Sequence, residues 1–161
     1  MEPHAPTAPF TAQDVRMLVR WCAAHAKDGH RGNFVVLHDA LYAASGERGV
    51  LVCTANAAGR KRLANAIVEA SGQPSSMRQT GILPLLRRSG IGVVVVNAGD
   101  NLWHGLTGKA LATAKAELKY LANVSGARFV VLGGKASIAA VLDEPSLAWR
   151  FAWPRGINDF G

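Results

Sequence analysis

Apolar positions near the start of the chain recur with a helical period. Val15, Leu18, Val19, Cys22, Ala23 and Ala26 fall at i, i+3, i+4, i+7, i+8 and i+11, which is one face of a helix. Thr11 followed by Asp14 resembles a capping box at its start, and Gly29 and Gly32 end it. The pattern then turns to short apolar runs. Phe34 to Leu37 predicts a first strand and Val50 to Cys53 a second. Val93 to Val96 are four consecutive valines, a strand with no polar face and therefore buried on both sides. Phe129 to Leu132 predicts a fourth strand and Phe151 to Trp153 a short fifth. Helical spacing returns between the strands. Leu63, Ala66, Ile67 and Ala70 share one face, stopped by Gly72 and Pro74. Ile82, Leu83, Leu85 and Leu86 share another, with the helix expected to start near Leu83 because Pro84 suits only a first turn. Leu111, Ala114, Leu118, Leu121 and Ala122 form a third, and Ile138, Val141 and Leu142 a fourth, ended before Pro145. Residues 75–80 and 99–108 read as loops.

Strands alternating with helices predict an α/β fold: a three-layer parallel sheet of about five strands with right-handed crossovers. The chain divides into an irregular arm over 1–10, rich in proline, and a single domain over 11–161. The connection 38–49 sits at the minimum of about a dozen residues that a parallel crossover needs, with no room for a phosphate loop and a full helix.

Composition sharpens the picture. A hydrophobic content of 49% suits a folded domain. No apolar run reaches the roughly 18 residues of a membrane span, and the N-terminus lacks the pattern of a secretory signal. Cys22 and Cys53 lie on predicted core faces without metal-ligand spacing, so they read as buried and reduced and the protein as cytoplasmic. A formal net charge of +7 points to an anionic partner such as nucleic acid, with Arg60, Lys61, Arg62, Arg87 and Arg88 as the candidate DNA-binding clusters. An anion bound where Arg60 to Arg62 crowd a helix start would relieve their conflict with the helix dipole.

Ligands of parallel sheets gather at the carboxyl ends of the strands, which directs attention to Asn97. In a nucleotide hydrolase of the P-loop class, the buried strand would end in Asp-Glu, one holding Mg²⁺ and the other activating water. Here those places read Asn97 and Ala98. Asp100 and His104, with Ser45, form no hydrolytic set supported by a Gly-x-Ser-x-Gly elbow. His25, His30 and His38 lack metal-site spacing. Trp149, Phe151 and Trp153 could stack on bases or pack the end of the sheet.

Three segments carry a family resemblance. They are Leu118 to Asn123, Phe129 to Gly133, and Asp143 to Phe151 with its Asp-x-x-x-Leu-x-x-Arg-Phe arrangement. Together with Trp153-Pro154-Arg155 and Asn158-Asp159, they are similar to the TniB family of AAA+ ATP-binding proteins from transposition modules. The similarity extends through residues 13–37, 67–74 and 85–100, and is closest in the last third. It implies an AAA+ core of strand order 5-1-4-3-2 and a role beside a transposase. Against that family, His38 to Ser45 stands where a G-x-x-x-x-G-K-[ST] loop belongs, and only Ser45 fits. Thr54 to Lys61 follows the wrong strand. Gly134 falls where a polar side chain would sense the γ-phosphate, and the helical lid is absent. Arg150 matches the arginine that AAA+ proteins extend into a neighbouring subunit, a role taken to need exposure at the rim of the carboxyl edge. The leading expectation is therefore a non-catalytic TniB-like accessory or adaptor in transposition. It would use no cofactor and bind DNA non-specifically, with a transposase or complete TniB-like ATPase as partner in a homo- or hetero-oligomer, and without a membrane. Alternatives are an ATPase whose aberrant site still takes ATP and Mg²⁺, an unrelated small α/β enzyme, and a decayed remnant of a mobile element.

Overall fold

The computed structural model describes residues 9–27, 29, 31–43, 46–57, 59, 61–73 and 79–152. Their elements are α1 (Ala12–Ala24), β1 (Asn33–Leu37), β2 (Val50–Thr54), α2 (Arg62–Ala70), α3 (Gln79–Arg88), β3 (Val93–Asn97), α4 (Gly108–Val124), β4 (Arg128–Gly133), α5 (Lys135–Leu142), α6 (Pro145–Ala148) and β5 (Phe151–Ala152), with a 3-10 turn at Gly99–Leu102. The five strands form one parallel sheet in the order β2-β3-β4-β1-β5, the expected order read from its other edge. β3 and β4 are buried along their whole length, as two central strands covered on both faces must be.

The two faces are covered unequally. Leu63 and Ile67 of α2, Ile82 and Leu86 of α3, Leu118 and Leu121 of α4 and Val141 of α5 pack with Val94, Val96, Phe129 and Val131 of the sheet. Val15, Leu18, Val19 and Cys22 of α1 pack with Val36, Val93, Val95, Val130 and Leu132 on the other side. Tyr42 joins this second cluster, so the connection from β1 to β2, which has no helix among the described residues, crosses β4 and β3 on the face of α1. The helix that a longer crossover would have laid there is replaced by α1, which comes before the sheet in sequence. Its Thr11–Asp14 capping box is present. Phe10, assigned by sequence to the irregular arm, is 4% exposed and packs in the same cluster as Val15, the contact of a hydrophobic staple. Phe10 is therefore part of the packed domain.

Two other boundaries differ from expectation. α3 starts at Gln79 rather than Leu83, taking in residues read as loop and leaving Pro84 inside the helix. Burial of Ile82 and Leu86 on one face holds the segment helical despite the hydrogen bond that proline removes. In the 99–108 segment, Leu102 and Trp103 are core residues rather than loop.

The amino edge of the sheet is tied by polar groups. Asn33 is fully buried; its Oδ1 accepts from the Phe129 N–H at 2.9 Å and its Nδ2 donates to the Arg150 carbonyl at 3.2 Å, linking β1 to β4 and β5. Arg128 is 6% exposed and donates to the carbonyls of His25, Ala26 and Gly32 at 2.8, 3.1 and 2.7 Å. Two of those carbonyls lie just past α1, where a cation complements the helix dipole. Cys22 and Cys53 are free and buried, and burial pushes each thiol up to about 12, so neither is a nucleophile near neutral pH.

Candidate functional site: the carboxyl edge of the sheet

In this strand order the chain leaves β1 toward β2 and leaves β4 toward β5 in opposite directions. The carboxyl ends of β1 and β4 therefore flank the topological switch point, where α/β sheets bind ligands. Here the chain's own groups fill the edge. Asn97, 3% exposed at the tip of β3, holds the segment after β1 through both halves of its amide. Its Oδ1 accepts from the Tyr42 N–H at 2.8 Å and its Nδ2 donates to the Tyr42 carbonyl at 2.9 Å. This is the pairing of one strand residue with another, made by a side chain. His38 N–H donates to the Gly133 carbonyl at 2.9 Å and His38 Nδ1 donates to the Phe10 carbonyl at 2.8 Å, leaving Nε2 buried without a partner. A phosphate loop presents its backbone N–H groups to the ligand; the N–H groups of His38 and Tyr42 are instead used inside the fold. Ala98 follows in the left-handed region, φ 52°.

Beside this lies Asp100. Its Oδ1 accepts from the N–H groups of Gly134 and Ser137, both at 3.1 Å, and from the Ser137 hydroxyl at 2.5 Å, while Trp103 Nε1 donates to that hydroxyl at 3.3 Å. The carboxylate thus sits at the start of α5, where an anionic ligand would otherwise be favoured. It also explains Gly134: a Cβ there would lie 3.0 Å from Asp100 Oδ2. The start of α5 is thus occupied by an internal carboxylate.

The start of α2 shows the same device. Lys61 precedes it in a left-handed conformation with no side-chain cap. Glu117, reaching over from α4, accepts hydrogen bonds from the Leu63 and Ala64 N–H groups. The anion expected to balance the cations at this helix start is therefore Glu117. Burial pushes its carboxyl above the ordinary value of 4.5, opposed by those two N–H groups and by Lys61. A carboxyl raised on folding contributes stability below its unfolded value and loses it as pH rises through the folded value. Glu117→Gln keeps an acceptor for the N–H groups and removes the buried charge. We expect this variant to melt above the wild type at pH 7, with the difference closing as pH falls to 4.5. Thermal melts across pH 4 to 8 test this, and a variant less stable at pH 7 would contradict it.

The other sequence candidates scatter. Ser45, Arg60 and His30 lie outside the described residues, as do Trp153 and the segment after it. Arg62 is not a solvated cation: its Nη1 donates to the carbonyls of Asn101 and His104 at 2.9 and 2.7 Å. Arg87 Nη2 donates to the Val124 carbonyl at 2.8 Å, and Arg88 is exposed. The two basic clusters stand at opposite ends of the sheet, since α2 starts where β2 ends and α3 ends where β3 begins. Arg150 requires a correction. It precedes β5, whose Phe151 pairs with Asn33 at the start of β1, so it stands at the amino edge and not at the carboxyl rim. Its Nε donates to Asn123 Oδ1 at 2.8 Å and its Nη1 to the Ser146 carbonyl at 2.5 Å. Asp100 and His104 form no catalytic pair: the first caps α5 and the second is exposed. Among the described residues, no group of three or more His, Cys, Asp or Glu could hold a metal ion. Sequence reading missed the internal anion Glu117 and the cap role of Asp100. The glycine pair after β4 was the available signal for the second.

Fold and edge together define an α/β protein with a five-stranded parallel sheet whose switch point is filled from within. Neither a known family model nor a curated protein matches the chain.

Proposed function

We propose that this chain is a non-hydrolysing accessory domain of the TniB-like kind, acting in DNA transposition through its surfaces, on DNA and on a partner ATPase or transposase. The observation that carries this reading is the Asn97 amide clamped to the Tyr42 backbone. A group committed to one N–H and one C=O offers Mg²⁺ no ligand, and the neighbouring methyl of Ala98 accepts no proton. These residues do not fit a Mg²⁺-nucleotide. Among the described residues, no helix is long and apolar enough to cross a membrane.

For DNA, the amino edge is the better-supported face. Arg31, Arg87 and Arg88 are exposed there, and the ring of Trp149, 49% exposed, has the guanidinium groups of Arg31 and Arg150 at 4.6 and 5.1 Å from its centroid. Cations beside an accessible ring suit a charged backbone carrying flat bases. Fluorescence anisotropy with a labelled duplex tests this. Binding is expected at micromolar strength or weaker, falling steeply between about 50 and 200 mM salt. Joint Arg31→Glu and Arg88→Glu substitution is expected to weaken it at least about tenfold, and Lys61→Glu to weaken it less. No binding at low salt, or equal binding by all three proteins, would contradict the reading.

A further inference from the structure

A groove of 680 Å³ opens between the start of α2, the 3-10 turn and the first half of α4. It lies at the carboxyl edge but away from the switch point, over the connections that flank β2 and β3. Its floor is apolar, made by Leu63, Leu102, Leu106, Ala114 and Leu118. Its polar groups are few and unequal in freedom. Arg62 is committed to the Asn101 and His104 carbonyls, and Glu117 to the N–H groups of α2. Lys61 and Lys109 line the same groove and are exposed. Lys61 shares the Glu117 end of the groove, where its charge acts on that carboxyl, so among the described residues the ammonium group left to meet a ligand is that of Lys109, at the rim of an apolar trough.

We propose that this groove binds a small amphiphilic carboxylate, an acyl or aromatic body carrying one anionic head. The apolar body lies on the leucine floor and the head pairs with Lys109. Size favours a small molecule over a partner helix. Pockets for such ligands span about 300–1,000 Å³, whereas two turns of helix, with a diameter of 10–12 Å and a pitch of 5.4 Å, displace about 1,000 Å³. Charge disfavours the opposite head group at the end away from Glu117, since a cation there would face Lys109. Glu117 fixes the orientation: it stands eight residues from Lys109 along α4, about 12 Å at 1.5 Å per residue, so the head belongs at the Lys109 end. None of these groups takes part in the Asn97 clamp, so this inference stands independently of the role at DNA.

The experiment is titration of the full chain with 11-(dansylamino)undecanoic acid, followed by displacement with decanoate and with decanol. Saturable fluorescence enhancement is expected, with decanoate displacing at a concentration at least tenfold below decanol. Lys109→Glu is expected to weaken the probe at least tenfold with an unchanged melting temperature. Ala110→Trp, at an exposed position of the groove wall, is expected to abolish binding by filling the trough. Absence of saturable binding, equal displacement by decanol, or unchanged affinity in the Lys109 variant would each overturn the proposal.

Discussion

Replacing Asn97 by aspartate is expected to destabilise the protein by about 3 kcal/mol at pH 7 and to create no Mg²⁺ site. The substitution puts back the carboxylate that a nucleotide hydrolase would carry, yet this fold has no use for it. One oxygen would still accept from the Tyr42 N–H. The other would replace a donor 2.9 Å from the Tyr42 carbonyl, setting two acceptors face to face at a position 3% exposed. Protonation would restore the donor, so the aspartate would be pushed above the ordinary carboxylate value of about 3.9. The sign of the pH dependence follows. The deficit is small below about pH 4 and grows as pH rises. Melting temperature should fall by roughly 6–12 °C at pH 7, with partial recovery in acid. Asn97→Ala should cost about 2 kcal/mol through the loss of two buried hydrogen bonds, with no such recovery. An aspartate variant as stable as the wild type at pH 7 would show that the clamp is not holding the connection.

Arg128→Met is expected to cost about 3 kcal/mol or more, because two carbonyls just past α1 and that of Gly32 before β1 lose their shared charged donor together. Its guanidinium also lies 4.9 Å from the Trp21 ring centroid, a contact methionine keeps only as packing. Arg128→Lys should recover little, since one ammonium cannot reproduce a planar fork aimed at His25, Ala26 and Gly32. It has a further consequence for Lys27, whose Nζ donates to the Ala122 carbonyl. Burial, and secondarily the charge of Arg128, bring Lys27 down to about 8. Removing the Arg128 charge should move the Lys27 titration upward, which NMR of the lysine side chain would detect. Chemical denaturation of both variants gives the stability test, and a lysine variant equal to the wild type would refute the role given to the fork.

The sheet was legible because its signals are local. The valine run of β3, the runs at 34–37 and 129–132 and the Thr11–Asp14 cap each state their element within a few residues. α3 was misjudged at its start because local proline chemistry yielded to burial of Ile82 and Leu86, a tertiary effect. At the candidate site, sequence showed which residues were not acidic, but not what replaced the missing chemistry. The Asn97–Tyr42 clamp joins residues 55 positions apart, and Asp100 meets Ser137 across 37. Spacing in the chain carries no trace of such pairings. Arg62, grouped with a basic cluster in the sequence, serves as a donor to backbone carbonyls in the fold, a pairing across 39 positions. Arg150 followed a motif, and the direction of β5 placed it at the other end of the sheet.

Asp14, Asp100 and Glu117 stand as built-in anions at the starts of α1, α5 and α2, and Asn97 closes the segment after β1. The central claim is that this carboxyl edge is complete without nucleotide. Isothermal titration of the purified protein with ATP in excess Mg²⁺, paired with phosphate release over the same concentration range, tests it most directly. No saturable heat and no protein-dependent phosphate release are expected. Saturable Mg²⁺-dependent binding that is lost on changing Asn97 or Asp100 would contradict the account.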